Sequence, residues 1–156
     1  MIHNDVLRSV RYMLDISDKK VIEIIKLGGM DVALEDLVTY LDKKEEDEEG
    51  FVRCPDEVMA HFLDGLVLHR RGRNEQLPPR PVEKRITNNL VLKKLRVAFE
   101  LRDEDMHRAF DEAGFPVTKP ELSALFRQPD HRNYRACGDQ MLRNFLKGLT
   151  LRLRQP

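Results

Sequence analysis

The chain has no tryptophan, only two cysteines and few aromatic side chains (6%), and nowhere do eighteen apolar residues run together. Each shortage excludes something. Without such a run no membrane-spanning helix is encoded. The opening Met1-Ile2-His3-Asn4-Asp5 lacks the basic-then-apolar order of a secretory signal, so a cytoplasmic location is expected. Cys54 and Cys137 are too few for a disulfide framework and have no companion at zinc-ligand spacing. They read as buried small hydrophobes in a reducing compartment.

Glycine and proline are sparse as well, at 8 each among 156 residues, and Gly28-Gly29 closes an apolar-periodic segment instead of opening a phosphate loop. Ser9, Ser17 and Ser123 lie in no nucleophile elbow, and no cysteine–histidine arrangement suggests a nucleophile. His61 and His69 share a helix with Asp64, but their matching positions later in the chain are Asn144, Arg152 and Lys147, so a metal site is not expected. No cofactor and no catalytic residue is expected.

What is present is a duplication. A shift of 85 residues lays Asn4, Leu7, Arg11, Asp18, Gly29, Val32 and Leu37 on Asn89, Leu92, Arg96, Asp103, Gly114, Val117 and Leu122. The shift then falls to 83, laying Cys54, Asp56, Phe62, Leu63, Gly65, Leu66, Leu68 and Arg71 on Cys137, Asp139, Phe145, Leu146, Gly148, Leu149, Leu151 and Arg154. The pattern implies a first unit over 1–72, a basic linker over 73–85 that Pro78, Pro79 and Pro81 hold extended, and a second unit over 86–156.

Charged residues reach 35% and hydrophobic residues 41%, which suits helices with solvated outer faces. Periodicity predicts four helices per unit, near 4–15, 18–28, 33–43 and 55–71, then 89–101, 103–113, 119–127 and 138–154. Asn4, Asn89, Asp18 and Asp103 are expected as N-caps. Thr118-Lys119-Pro120-Glu121 reads as a capping box. An apolar stripe is expected on each last helix, through Met59, Phe62, Leu63 and Leu66 and through Leu142, Phe145, Leu146, Leu149 and Leu153. Gly65 and Gly148 interrupt those stripes at about 1 kcal/mol each relative to alanine. A close crossing between the two last helices would explain them, with Gly148→Leu far worse than Gly148→Ala.

The formal net charge of zero hides a split, for the first unit is acidic and the second basic. Arg8 and Arg11, and later Arg96, put a basic edge on each first helix. Arg132, Tyr134, Arg135, Arg143, Lys147 and Arg152 gather cations around an aromatic near the C-terminus. Such a set can hold phosphates and stack a base, although a solvated helix face has the same composition. The run Asp42–Glu49, with Glu45, Glu46, Asp47, Glu48 and Glu49, occupies the place that the basic Arg127–Arg135 takes in the second unit. Opposite charge at matched loops suits pairing across a pseudo-twofold axis or between chains.

The paired stretches Asn4–Tyr12 and Thr87–Arg96, with the endings Phe62–Leu66 and Asn144–Leu149, resemble the bacterial YehS-like family. That resemblance implies a tandem-repeat helical protein of the cytoplasm and assigns no activity or catalytic residue. The expectation is therefore an all-α protein of two tandem four-helix units, packed with pseudo-twofold symmetry. It would act as a non-enzymatic interaction or regulatory adaptor for a protein partner or for a second copy of itself in a homodimer, away from membranes. The alternative is binding of RNA or single strands by the basic C-terminal unit.

Overall fold

The computed structural model describes residues 1–72 and 81–154; most of the expected linker, 73–80, lies outside the described residues. Among these are eight α-helices and no strand: α1 His3–Leu14, α2 Asp18–Leu27, α3 Leu34–Leu41, α4 Asp56–Arg71, α5 Asn88–Ala98, α6 Asp103–Glu112, α7 Lys119–Leu125 and α8 Asp139–Arg154. The chain divides into two compact units, Ile2–Ile86 and Thr87–Pro156, with four helices each. The protein is all-α and built as two repeats.

In the first unit Val6, Leu7, Val10, Val21, Ile24, Ile25, Leu37, Met59, Phe62, Leu63 and Leu66 are removed from solvent. The second buries the matching set, and Phe110 of α6 meets Phe145 of α8 with ring centroids 5.4 Å apart. The expected stripe on α8 stops at Leu149, since Leu153 is 42% exposed. The capping box forms, with the Thr118 hydroxyl accepting from the Glu121 amide (3.2 Å) and Glu121 Oε1 accepting from the Thr118 amide (3.1 Å).

Other caps differ from expectation. Ile2 and Thr87 precede α1 and α5, so Asn4 and Asn89 lie inside their helices, and Ser17 caps α2 through the Lys20 amide (3.1 Å). Asp18 and Asp103 are the first residues of α2 and α6, and their carboxylates serve another purpose, described below.

Both first helices stop in one way that periodicity does not encode. Asp15 and Glu100, at matched positions, take left-handed φ values of 52° and 53°. The next amides close the turns, from Ile16 to the Arg11 carbonyl and from Leu101 to the Arg96 carbonyl. That conformation costs a residue with a Cβ about 1 kcal/mol. Asp15→Gly and Glu100→Gly should each raise the thermal midpoint, corresponding to about 0.5–1 kcal/mol. A lower midpoint would mean that their side chains contribute more than the backbone costs.

The helix glycines mark the tightest packing in each unit. A Cβ on Gly65 would stand 1.8 Å from the Ile24 carbonyl oxygen, and one on Gly148 would stand 1.7 Å from that of Ala109. Ile24 and Ala109 are matched positions on α2 and α6. The close crossing therefore lies inside each unit, between its second and fourth helices, instead of between the two fourth helices. Gly28 completes it in the first unit, where a Cβ would meet the His61 carbonyl at 1.9 Å.

Candidate functional site

Two matched asparagines, Asn4 buried and Asn89 half-buried, organise the surface loops. Asn4, fully buried, donates from Nδ2 to the Val52 carbonyl (2.8 Å) and accepts at Oδ1 from the Cys54 amide (2.8 Å). Asn89 repeats this, donating to the Arg135 and Leu125 carbonyls (2.9 and 3.0 Å) and accepting from the Cys137 amide (2.8 Å). Each side chain thus pins the end of the long loop entering the fourth helix. A second tie lies beside it: His3 Nε2 to Asp56 Oδ1 at 2.5 Å, and at matched positions Asn88 Nδ2 to Asp139 Oδ1 at 2.8 Å. Burial first, then the neighbouring aspartates, push the Cys54 thiol up to about 12 and the Cys137 thiol to about 11. Neither is a nucleophile at neutral pH.

Most of the candidate cations are occupied within their own units. Arg11 Nε donates to Asp18 (2.7 Å), and Arg96 donates to the matched Asp103 (2.6 Å) while its guanidinium lies 4.8 Å from the centre of the Phe126 ring. Arg8 pairs with Asp5 and donates to the Asp42 carbonyl (3.0 Å). Arg152 reaches the Asp105 carbonyl (3.1 Å) and carboxylate (3.5 Å), and Arg135 reaches Glu121 (2.8 Å).

Hydrogen bonds from Thr118 and then from Arg135 hold the Glu121 carboxyl below its ordinary value. Its ties thus persist above the ordinary glutamate range and are lost as pH falls through the lowered value. In an NMR titration Glu121 should have a midpoint below that of an unperturbed glutamate. Arg135→Ala should move that midpoint part of the way back, leaving the Thr118 share. An unmoved midpoint would show Arg135 turned to solvent.

Among the described residues Arg132, Arg143 and Lys147 form no ion pair, though Arg143 acts electrostatically on the Asp139 carboxylate one turn away. Arg132, Arg143 and Lys147 are exposed, Arg143 and Lys147 one turn apart on α8, while Tyr134 is half-buried. Arg143 donates to the neutral Gln140 (3.1 Å). In the acidic loop Glu46 pairs with Arg53, and Glu48 accepts from the Glu45 amide (3.1 Å). The carboxylates of Glu45, Asp47 and Glu49 meet no cation among the described residues. Between α1 and this loop lies a cleft of about 290 Å³ lined by Ile2, Asp5, Arg8, Lys43, Lys44, Glu45 and Glu46. Its charges are mixed, and nothing in it arranges a nucleophile with a base.

Sequence reasoning missed the asparagine ties and the Arg–Asp pairs. Their signal was retention of both members: Asn and Cys on either side of the change in shift, Arg and Asp seven residues apart in both copies. The description "Protein of unknown function (DUF1456)" matches residues 3–72 and 88–155, one match per unit. The chain belongs to the DUF1456 family. A relative in it, the "Uncharacterized protein YehS" of Escherichia coli (strain K12), is 48% identical over 97% of this chain and 96% of its own length. No solved structure matches the chain. Membership agrees with the tandem repeat; the family description supplies no chemistry. Among the described residues no helix is long and apolar enough to cross a membrane.

Proposed function

We propose that this DUF1456 protein is a non-catalytic interaction adaptor whose binding face is the acidic surface of the first unit. One observation carries the reading. Arg8, Arg11, Arg96, Arg135 and Arg152 are each tied to a carboxylate of their own unit, whereas Glu45, Asp47 and Glu49 have no cationic partner among the described residues. Unpaired like charges on one loop repel one another and favour a basic partner. Nucleic-acid binding is supported by less: Arg143 and Lys147 on one face of α8, with Arg132 nearby in sequence.

The test recovers tagged full-length protein from cells, with and without nuclease. It is run beside a variant with Glu45, Glu46, Asp47, Glu48 and Glu49 changed to glutamine. Proteins retained after nuclease and lost from the variant are expected, with recovery falling as salt rises. Recovery of nucleic acid that depends on Arg143 and Lys147 and ignores the loop would reverse the assignment.

A further inference from the structure

The second unit serves as an internal control for the first. Both carry the same asparagine ties, Arg–Asp pairs and helix glycines. Yet around the turn from the second to the third helix the second unit has Glu112, Lys119 and Ser123, where the first has Leu27, Leu34 and Val38. Those three are 41%, 46% and 48% exposed. The next inward position, Leu37 and its match Leu122, is buried in both units. The scaffold therefore does not require apolar residues at the three outer positions, because the second copy forms with polar ones there.

A single exposed leucine means little. Leu34 and Val38 are four residues apart on α3 and so share one face, with Leu27 at the end of the preceding helix. Between Lys26 and Lys43 the charge has one sign. No lysine or arginine occurs there, while Asp31, Glu35, Asp36 and Asp42 are all exposed. Asp36 shows how the two copies diverged. Its counterpart Glu121 is neutralised by Arg135, but the counterpart of Arg135 is Val52, so Asp36 has no such cation.

We infer that this face of α3 docks an amphipathic helix of a partner protein, one with leucine-sized residues along one side and lysine or arginine beside them. The inference rests on the interaction reading above and states the chemistry of the partner. An apolar stripe bordered by the exposed carboxylates of Asp31, Glu35 and Asp36 complements such a helix on both counts. A second copy of this chain fits less well. Its basic helix α8 buries its own apolar stripe, Leu142, Phe145, Leu146 and Leu149, and so offers its cations with Leu153 as the one large apolar residue exposed beside them.

The test titrates isotope-labelled full-length protein with a synthetic amphipathic helix of leucine and lysine, and with a scrambled peptide of the same composition. Amide shifts should centre on α3. L34K/V38S, which installs the second unit's residues and is checked by a thermal melt, should weaken binding by about tenfold or more, as should scrambling. Should that variant fail to fold, E35Q/D36Q must give the same loss. Equal binding by wild type and variant, or equal binding of the scrambled peptide, overturns the inference. Shifts confined to residues 42–49 overturn it as well, while leaving the adaptor reading in place. A sedimenting dimer that L34K/V38S dissolves would assign the face to a second copy and overturn the partner helix.

Discussion

Gly148→Ala should lower the stability of the second unit by about 3 kcal/mol or more, with Gly148→Leu preventing its folding. A methyl at this position would lie 1.7 Å from the Ala109 carbonyl oxygen and 3.1 Å from the Ala109 Cα. Backbone atoms in a helix cannot swing aside as a side chain does. α6 and α8 would have to separate by more than about 1 Å to restore an ordinary carbon–oxygen contact, loosening every side chain between them, Phe110 and Phe145 included. Gly65→Ala in the first unit meets the same obstacle at Ile24. Gly138→Ala is the control, because nothing lies within 4 Å of its Cβ position. Urea melts of the three alanine variants decide the matter. A Gly148→Ala change within about 0.5 kcal/mol of Gly138→Ala would mean that the crossing is looser than its geometry indicates.

Asn4→Ala and Asn89→Ala should each cost about 3 kcal/mol. Asn4→Ala strands the Val52 carbonyl and the Cys54 amide; Asn89→Ala strands the Cys137 amide and two carbonyls, those of Leu125 and Arg135. Hydrogen exchange should report it locally, with the Cys54 or Cys137 amide losing protection before the helices melt. Aspartate is the informative substitute. It keeps the acceptor for the cysteine amide, cannot donate to the carbonyls, and sets a negative charge against them, so it should be no better than alanine. Retained protection at Cys54 in Asn4→Ala would remove Asn4 from this role.

How much of this was legible in the chain follows from the range over which each interaction acts. The eight helices could be read from periodicity because each apolar stripe repeats every three or four residues, and the observed ends differ from the expected ones by a few residues at most. Gly148 announced a close approach, yet only the fold says which backbone it faces. Asn4 misled because a short polar residue at a helix start is usually a cap. Its partners lie 48 and 50 residues away, beyond any local pattern. The basic candidates misled for a similar reason. Arg11 and Asp18 are seven residues apart across a break between helices, so helical spacing does not predict that they meet. On the sequence these arginines counted as open charge; in the fold Arg8, Arg11, Arg96, Arg135 and Arg152 are fasteners.

The asparagine ties also bear on how such a module diversifies. The stretch from Asn4 to Cys54 spans 50 positions and that from Asn89 to Cys137 spans 48; the fourth helix is received identically in both. A staple at the end of a loop makes the length of that loop nearly irrelevant to the core, since doubling a flexible segment adds only about 0.6 kcal/mol of closure entropy. Upstream of Val52 and Arg135 the loop is therefore graftable. Between the two copies here it differs in length and in the sign of its charge, while the four helices behind it keep their pattern.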